Sequence, residues 1–258
     1  METTKESQAQ PVAELFGLIG YPLGHSFSAR FFAEKFQKEH IDAAYQNFEI
    51  EKADSLVDIV EQHPNLRGFN VTIPHKQAVI PYLSDMSEEA KAIGAVNVVR
   101  VFRNAEGYQL KGYNSDVIGF SRSLQPLLQP HHRKALVLGT GGASKAVMYG
   151  LRRLGITPTY VSRTRREGVL AYEDLTETLL NEYTVIVNCS PVGMFPHVDE
   201  CPNIPYEYLT DRHLLFDLVY NPLETLFLKK GAAQGATTKN GLEMLHLQAL
   251  ASWEFWHE

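Results

Sequence analysis

A lysine and an aspartate end two short polar motifs of this 258-residue chain. Lys76 ends the sequence GFNVTIPHK, which begins at Gly68, and Asp116 ends GYNSD, which begins at Gly112. An ammonium group oriented by a carboxylate can donate a proton to the alkoxide that forms when a carbonyl is reduced. The pair therefore predicts proton transfer if the fold brings the side chains together. The alternative is a solvated Lys76 and an Asp116 that only caps the following helix.

A glycine-rich turn follows a short apolar run in the second half of the chain. The run ALVL at 135–138 is typical of a buried parallel strand, and it continues into GTGGAS and a helical pattern that ends near residue 154. This order is that of a dinucleotide pyrophosphate site, where glycines permit close approach of the phosphate and the helix N terminus supplies free N–H groups. Ser144 replaces the third glycine of the usual fingerprint, and a purely structural turn is the alternative. The predicted cofactor contacts here are Gly139, Gly141, Gly142, Ala143 and Ser144.

The next predicted strand carries basic and hydroxyl residues where an NAD site carries an acid. It reads YVSRTRR at 160–166, with no carboxylate before Glu167. A guanidinium with neighbouring hydroxyls binds a 2′-phosphate through charge-assisted hydrogen bonds, whereas a carboxylate would repel it. NADP is therefore predicted as the cofactor, and a solvated loop is an equal alternative for the last two arginines. The predicted contacts are Ser162, Arg163 and Thr164.

Charge and cysteine usage argue against several kinds of partner. The chain has 24 Lys and Arg against 30 Asp and Glu, a net charge of −6, so nucleic acid and anionic membranes are not expected partners. Cys189 and Cys201 do not form a disulfide framework, and no Cys or His spacing indicates a metal site. The polar start and the lack of a long apolar run predict neither a secretory leader nor a membrane-spanning segment. We therefore expect a cytoplasmic protein without a metal, whose polar first ten residues are loose.

Strand-like and helix-like patterns alternate along the chain, which predicts an α/β fold with largely parallel sheets. Four phenylalanines between residues 27 and 36 recur at helical spacing and predict a helix with a core-facing aromatic side. Pro74 is compatible with the first turn of another helix. A β-hairpin is predicted over 97–112, and the adjacent His131 and His132 are assigned to a solvated linker.

The patterns divide the chain into two α/β domains. Residues 1–115 together with 241–258 are predicted to form a substrate-binding and catalytic domain with a mainly parallel sheet. Residues 116–240 are predicted to form a Rossmann-like NADP-binding domain. The last helix, over 242–256, has apolar residues on one face and must dock on another element. Docking on the first domain would leave a cleft between the two.

Nine motifs follow one another in the order found in the shikimate dehydrogenases, which this chain resembles from about residue 16 almost to its C terminus. They are GYPLGHSFS from Gly20, GFNVTIPHK, GAVN from Gly94, GYNSD, GTGGAS, VSRT, NCSPVGM from Asn188, DLVYNP from Asp217 and GLEMLHLQA from Gly241. The resemblance implies reversible, NADP-dependent reduction of 3-dehydroshikimate to shikimate in aromatic amino acid and chorismate biosynthesis.

The resemblance also implies roles for individual residues. Lys76 and Asp116 would flank the carbon that exchanges hydride. The substrate carboxylate would bind Ser26 and Ser28 with Tyr220 nearby, and the ring hydroxyls would bind Asn70, Thr72, Asn97 and Gln248. The nicotinamide would lie against a wall that includes Cys189, Ser190, Met194, Val219, Gly241 and Met244.

Three positions depart from the usual family residues, and other interpretations stay open. The three departing positions are His75, Ser162 and Glu167, and Glu167 weakens the predicted preference for NADP. The serines, asparagines and Gln248 have ordinary capping, turn and surface roles as alternatives. A quinate or dual-specificity dehydrogenase, a folate-type methylene dehydrogenase and a non-catalytic ligand-binding relative are the alternative functions. The sequence leaves a monomer and a homodimer equally open.

Overall fold

The computed structural model describes residues 13–24 and 26–258, which form two six-stranded sheets with flanking helices. The α/β fold with two sheets confirms the predicted fold class. The expected looseness of the first ten residues, and His25, lie outside the described residues.

The first sheet is mixed and has the strand order β2-β1-β3-β5-β6-β4. Its strands are β1 (Glu14–Gly20), β2 (Ala43–Glu49), β3 (Leu66–Val71), β4 (Asp85–Met86), β5 (Val98–Asn104) and β6 (Gly107–Tyr113). The helices between them are α1 (Phe27–Glu39), α2 (Leu56–Gln62) and α3 (Glu88–Ile93). β1 pairs in parallel with β2 and β3, whereas β5 is antiparallel to both β3 and β6. The predicted β5–β6 hairpin supplies the antiparallel part, because a tight turn joins only antiparallel strands.

The second sheet is entirely parallel and has the order β12-β11-β10-β7-β8-β9. Its strands are β7 (Lys134–Leu138), β8 (Thr157–Ser162), β9 (Val169–Ala171), β10 (Val185–Asn188), β11 (Leu214–Asp217) and β12 (Thr237–Lys239). The helices of this half are α4 (Asp116–Leu124), α5 (Gly142–Arg153), α6 (Glu177–Glu182) and α7 (Leu226–Ala233). The strand order reverses between β7 and β10, and ligands of open α/β sheets bind at such a switch point, beyond the carboxyl ends of the strands.

The last helix, α8 (Leu242–His257), docks on the first sheet and on α4. Its Trp256 is buried, stacks on Phe16 of β1 at a ring distance of 4.8 Å and donates a hydrogen bond to Val99 O at 3.1 Å. The docking is close at Gly68 of β3, because a Cβ atom there would lie only 2.5 Å from the indole nitrogen. A glycine is therefore required where the tryptophan meets the strand.

The predicted aromatic side of α1 packs on this same core. Phe32 and Phe36 are buried beside Phe16, while Phe27 and Phe31 are only partly buried. Ser26 precedes the helix in extended conformation and its side chain accepts a hydrogen bond from Ala29 N. The helix is thus fixed by an N-cap and an apolar face, as its sequence pattern predicts.

No α-helix begins at Pro74, so that prediction was wrong. Residues 73–79 form successive turns, and a short 3₁₀ segment follows at 80–82. Pro81 lies where a longer helix would need a backbone N–H donor, which proline lacks.

The assignment of His131 and His132 to a solvated linker was wrong for His132, which is buried. Its Nδ1 accepts from Gln129 N at 2.9 Å, and its Nε2 lies 3.1 Å from the carbonyl oxygen of Arg212. Burial lowers the pKa of His132, in agreement with a neutral ring that donates from Nε2. His132 therefore ties the chain before β7 to the loop before β11.

Within the described ranges, no helix is long and apolar enough to cross a membrane. Among the same residues, no group of three or more His, Cys, Asp and Glu side chains is arranged to hold a metal ion.

Candidate active site

A cavity of about 280 Å³ lies between the carboxyl end of β3, the start of α1 and the face of α8. The residues that line it come from widely separated parts of the sequence. Eight of the nine side chains predicted for substrate binding and catalysis line the cavity, namely Ser26, Ser28, Asn70, Thr72, Lys76, Asn97, Tyr220 and Gln248. The ninth, Asp116, lies directly behind Lys76.

Lys76 and Asp116 form a shielded ion pair with Nζ 2.5 Å from Oδ2. The lysine side chain is 15% exposed and the aspartate side chain 4% exposed. Asp116 is the first residue of α4, where the free N–H groups of the helix favour a negative charge. Within the described ranges, Nζ makes this one hydrogen bond, and an ammonium has three donors. The pair can therefore offer a proton to a ligand in the cavity.

The amide of Asn97 holds the other carboxylate oxygen. Its Nδ2 donates to Asp116 Oδ1 at 2.9 Å, and its Oδ1 accepts from Ser115 N at 2.7 Å. A backbone N–H can only donate, so this second bond fixes which amide atom faces Asp116. The Asn97 amide thus leaves Oδ2 of the aspartate to Lys76.

Asn70 is held from two sides at the end of β3. Tyr45 OH donates to its Oδ1 at 2.8 Å, and its Nδ2 donates to Ser252 Oγ at 2.9 Å and to Asn97 O at 3.3 Å. The sequence did not predict that Tyr45 and Ser252 belong to the site, and Ser115 appeared only as part of the GYNSD motif. The position of Ser252 could have been predicted, because it follows Gln248 by four residues and so lies on the same face of α8.

Ser26 both caps α1 and lines the cavity, so the two interpretations of this residue hold together. Its oxygen accepts from Ala29 N at 3.3 Å, which leaves the hydroxyl proton available to another acceptor. Ser28, in the first turn of α1, lines the same cavity. Tyr220 is 37% exposed and stands opposite Phe27, with 6.4 Å between the ring centres. The hydroxyl groups of Ser26, Ser28 and Tyr220 therefore line the end of the cavity near the start of α1.

The glycine-rich turn lies at the switch point of the second sheet, directly after β7. Gly139 has a φ of +105°, which favours glycine, and its backbone packs against residues 189 and 190 at the end of β10. α5 begins at Gly142 and has no acidic residue in its first turn. Ser144 is buried and its hydroxyl donates to Gly141 O at 2.7 Å. The serine thus stabilises the turn, and the helix N terminus is suited to an anion.

The loop after β8 carries the residues predicted to select NADP. Arg163 and Thr164 are exposed, and Ser162 Oγ donates to Thr164 O at 2.6 Å. Arg165 is paired with Asp174, its Nε lying 3.1 Å from Oδ2. Arg163 therefore remains accessible to a phosphate, whereas Arg165 already has a carboxylate partner.

The residues predicted to form the nicotinamide wall differ in their exposure to solvent. Met194 is 45% exposed, but Val219 and Met244 are buried, and Met244 belongs to the core on one face of the second sheet. Gly241 contacts the backbone of residue 218. Ser190 donates to Asn188 Oδ1 from both its backbone N and its hydroxyl. Burial raises the pKa of the Cys189 thiol, which favours its neutral form.

Asp217, at the end of β11, is a buried acid that organises this wall. Its carboxylate accepts hydrogen bonds from Thr225 Oγ1 at 2.6 Å, Val219 N at 3.0 Å and Asn188 Nδ2 at 3.0 Å. Burial nevertheless raises the pKa of Asp217 to about 6. The ends of β10 and β11 are thus joined through a group that titrates in mildly acidic solution.

Comparison with known proteins gives matches over nearly the whole chain. The family model described as shikimate dehydrogenase substrate binding domain matches residues 18–99. The NADP⁺ shikimate dehydrogenase of Caldanaerobacter subterraneus subsp. tengcongensis is 38% identical over 261 residues, covering 94% of this chain and 91% of that protein.

Two solved structures are similar over the same extent. The shikimate 5-dehydrogenase of Thermus thermophilus, in complex with NADP(H) and shikimate, is 31% identical, with a TM-score of 0.81 and coverage of 94% of this chain and 93% of that one. The shikimate 5-dehydrogenase of Listeria monocytogenes, in complex with shikimate and NAD, is 29% identical, with a TM-score of 0.84 and coverage of 95% and 92%.

Proposed function

The chain belongs to the shikimate dehydrogenase family, and we propose that it catalyses the reversible, NADP-dependent reduction of 3-dehydroshikimate to shikimate. The observation that carries this proposal is the ion pair between Lys76 and Asp116 at 2.5 Å, set in a cavity lined by hydroxyl and amide groups. The cavity lies beside the turn that is suited to a dinucleotide, because a Cβ atom added to Gly142 of that turn would lie only 3.7 Å from Lys76.

In the proposed reaction, Lys76 is the proton donor. NADPH, when bound, supplies a hydride to the ring carbonyl carbon, and the π electrons of that carbonyl move to its oxygen. Lys76 donates an ammonium proton to this oxygen, which becomes the alcohol. Asp116 orients the ammonium and stabilises its charge, and Asn97 keeps the carboxylate turned toward Nζ. In the oxidative direction the neutral amine accepts the same proton.

The cavity polarity supports the proposed mode of substrate binding. The substrate carboxylate would bind the hydroxyls of Ser26 and Ser28, with Tyr220 beside them. Gln248 Oε1 lies 3.4 Å from Asn97 Nδ2, so the amide nitrogen of Gln248 remains free to donate to a ring hydroxyl. The other proposed contacts to ring hydroxyls are Asn70, Thr72 and Asn97.

The proposed cofactor site uses the switch point of the second sheet. The pyrophosphate would lie on the turn from Gly139 to Ser144, since the α5 N terminus supplies N–H donors without a competing acid. Arg163, with Ser162 and Thr164, would bind the 2′-phosphate. The nicotinamide would lie against the wall formed after β10 and β11, which Asp217 holds together.

We propose that the domain division follows the two sheets, with 1–115 and 241–258 in one domain and 116–240 in the other. The packing of Trp256 on Phe16 supports placing the last helix with the first sheet. The two free cysteines, Cys189 and Cys201, support a reducing compartment, for which the cytoplasm is our proposal. The assembly is proposed to be a monomer or a homodimer.

A direct test is the absorbance of reduced nicotinamide with purified protein in four mixtures, shikimate or quinate with NADP⁺ or NAD⁺. We expect strong turnover only with shikimate and NADP⁺. Comparable turnover of quinate would show a dehydrogenase of broader specificity, and comparable use of NAD⁺ would refute the role of the Arg163 loop. Silence in all mixtures, with shikimate still bound in calorimetry, would replace the proposal by a non-catalytic ligand-binding protein.

A further inference from the structure

Ser252 lies at the centre of a buried hydrogen-bond network behind the cavity. It is fully buried on α8, one turn after Gln248. Its Oγ lies within hydrogen-bond distance of Asn70 Nδ2 at 2.9 Å, Ser115 Oγ at 3.2 Å and the backbone oxygen of Gln248 at 2.8 Å. Ser252 therefore joins the last helix to both polar motifs of the first half of the chain.

The donor and the acceptor of each hydrogen bond to Ser252 can be assigned from one backbone group, the carbonyl oxygen of Gln248. The Gln248 carbonyl oxygen can only accept, so the single hydroxyl proton of Ser252 is committed to it. The Ser252 oxygen must then accept from its other two neighbours. The Ser115 hydroxyl donates to it, and the Asn70 atom that faces it must be the amide nitrogen.

The orientation of Asn70 has consequences for what it can bind. One amide proton goes to Ser252 and the other, by a longer bond of 3.3 Å, to Asn97 O. Tyr45 OH donates to Oδ1 and occupies one of its two acceptor positions. Asn70 is left with one acceptor position for a ligand in the cavity, so it accepts a hydrogen bond from a ligand hydroxyl.

We propose that Ser252 is a positioning residue, which holds Asn70 with its amide oxygen ready to accept from a substrate hydroxyl. The inference rests on the proposed function, since it concerns the binding of the same substrate. It does not extend to the proton-transfer pair. Asn97 also donates to the Ser115 hydroxyl that Ser252 contacts, but it keeps its own anchor in Ser115 N and its own bond to Asp116. Ser252 acts on substrate binding, and the chemical step is left to the other residues.

The variant Ser252→Ala tests this role. It removes the shorter acceptor of the Asn70 amide, so that amide is held only by Tyr45 OH and by the longer bond to Asn97 O. We expect KM for shikimate to rise about tenfold, with kcat changed by less than about threefold and KM for NADP⁺ unchanged. Calorimetry should show the same weakening for shikimate in the absence of cofactor.

Ser123→Ala is the matched control. Ser123 is also a buried helical serine whose hydroxyl donates to a backbone oxygen of its own helix, Phe120 O at 3.0 Å. Among the described residues, no hydrogen bond joins it to the network of Ser252. Only Ser252→Ala should change shikimate binding, and thermal unfolding of both variants checks that each remains folded at the assay temperature. An Asn70→Ala background should abolish the further effect of Ser252→Ala, since the serine acts through that amide.

Two outcomes would overturn the inference. One is equal shikimate binding in Ser252→Ala and in the wild type. The other is an effect of Ser252→Ala that persists undiminished in the Asn70→Ala background. Failure of the proposed function has a different signature, because the wild type itself would then not turn over shikimate, whether or not it bound the compound.

Discussion

The side chain of Lys76 lies against Gly142, since a Cβ atom on that glycine would be 3.7 Å from both Cβ and Cδ of the lysine. Gly142 begins α5, a helix that follows β7 of the second sheet, whereas Lys76 follows β3 of the first sheet. This close approach places the proposed proton donor beside the proposed dinucleotide turn. Hydride transfer needs reacting atoms about 3 to 3.5 Å apart, and the close approach of Lys76 to this turn supports such a geometry.

Replacing Lys76 by alanine should remove the proton donor. We expect kcat for shikimate oxidation to fall by about 10² to 10⁴, with KM close to that of the wild type. Steady-state kinetics with NADP⁺ measures both constants. Lys38→Ala, which removes an exposed lysine of α1, is the control and should leave them unchanged. A higher KM with an unchanged kcat would make Lys76 a binding residue and contradict the proposed mechanism.

Replacing Arg163 by alanine should weaken discrimination between the two cofactors. A charge-assisted hydrogen bond contributes about 1.5 to 3 kcal/mol, so kcat/KM for NADP⁺ should fall about 10- to 100-fold while that for NAD⁺ stays constant. The ratio of the two values is the measurement. Arg165→Ala is the matched control, and its effect should be smaller because Asp174 already binds that guanidinium. Equal losses for both cofactors would mean that Arg163 does not contact the 2′-phosphate.

Local patterns allowed the main elements to be predicted from sequence. The run from residue 135 to 154 contains a strand, a glycine-rich turn and a helix whose signals are all local, and the structure has β7 and α5 there. The phenylalanine spacing of α1 and the hairpin of β5 and β6 were predictable for the same reason. A pairing of Lys76 with Asp116 could also be predicted, because each residue ends a compact motif. The structure brings the two side chains together.

Contacts between distant segments could not be predicted in this way. Asn70 and Ser252 are 182 positions apart and meet only because α8 returns to the first sheet. His132 is buried because its ring bonds to Arg212, 80 positions later. The expected helix at Pro74 failed for a local reason, since the effect of Pro81 on its continuation was overlooked.

Gly68→Ala should destabilise the protein through the docking of α8. The new methyl group would overlap the indole of Trp256 and lie 2.8 Å from Val99 O, and neither the strand backbone nor a buried tryptophan can move freely. Overpacking of this kind costs about 1 to 3 kcal/mol, and urea unfolding measures the change. Gly24→Ala is the control, because a Cβ atom there would have no atom of the described residues within 4 Å, apart from its chain neighbours. Equal stability of the two variants would show that α8 can shift away from β3.

The buried Asp217 should make stability depend on pH in a defined direction. Its pKa is raised to about 6 in the fold from an ordinary value of 3.8, so the folded state binds this proton more tightly than the unfolded state does. The stabilisation is complete below about pH 4, declines as pH rises to about 6 and is lost above that value. Since one pKa unit corresponds to about 1.4 kcal/mol, the decline is on the order of 3 kcal/mol.

Asp217→Asn removes this titration while keeping a side chain of the same shape. Its amide oxygen can accept from Val219 N and Asn188 Nδ2, and its amide nitrogen can donate to Thr225 Oγ1. The free energy of unfolding, measured in urea from about pH 4 to about pH 7 for both proteins, should therefore fall more steeply in the wild type. The pKa values of His132 and of His213, a buried residue just before β11, are lowered by burial and not by Asp217, so their effects cancel in the difference. Parallel curves over this range would show that Asp217 titrates alike in the folded and unfolded states.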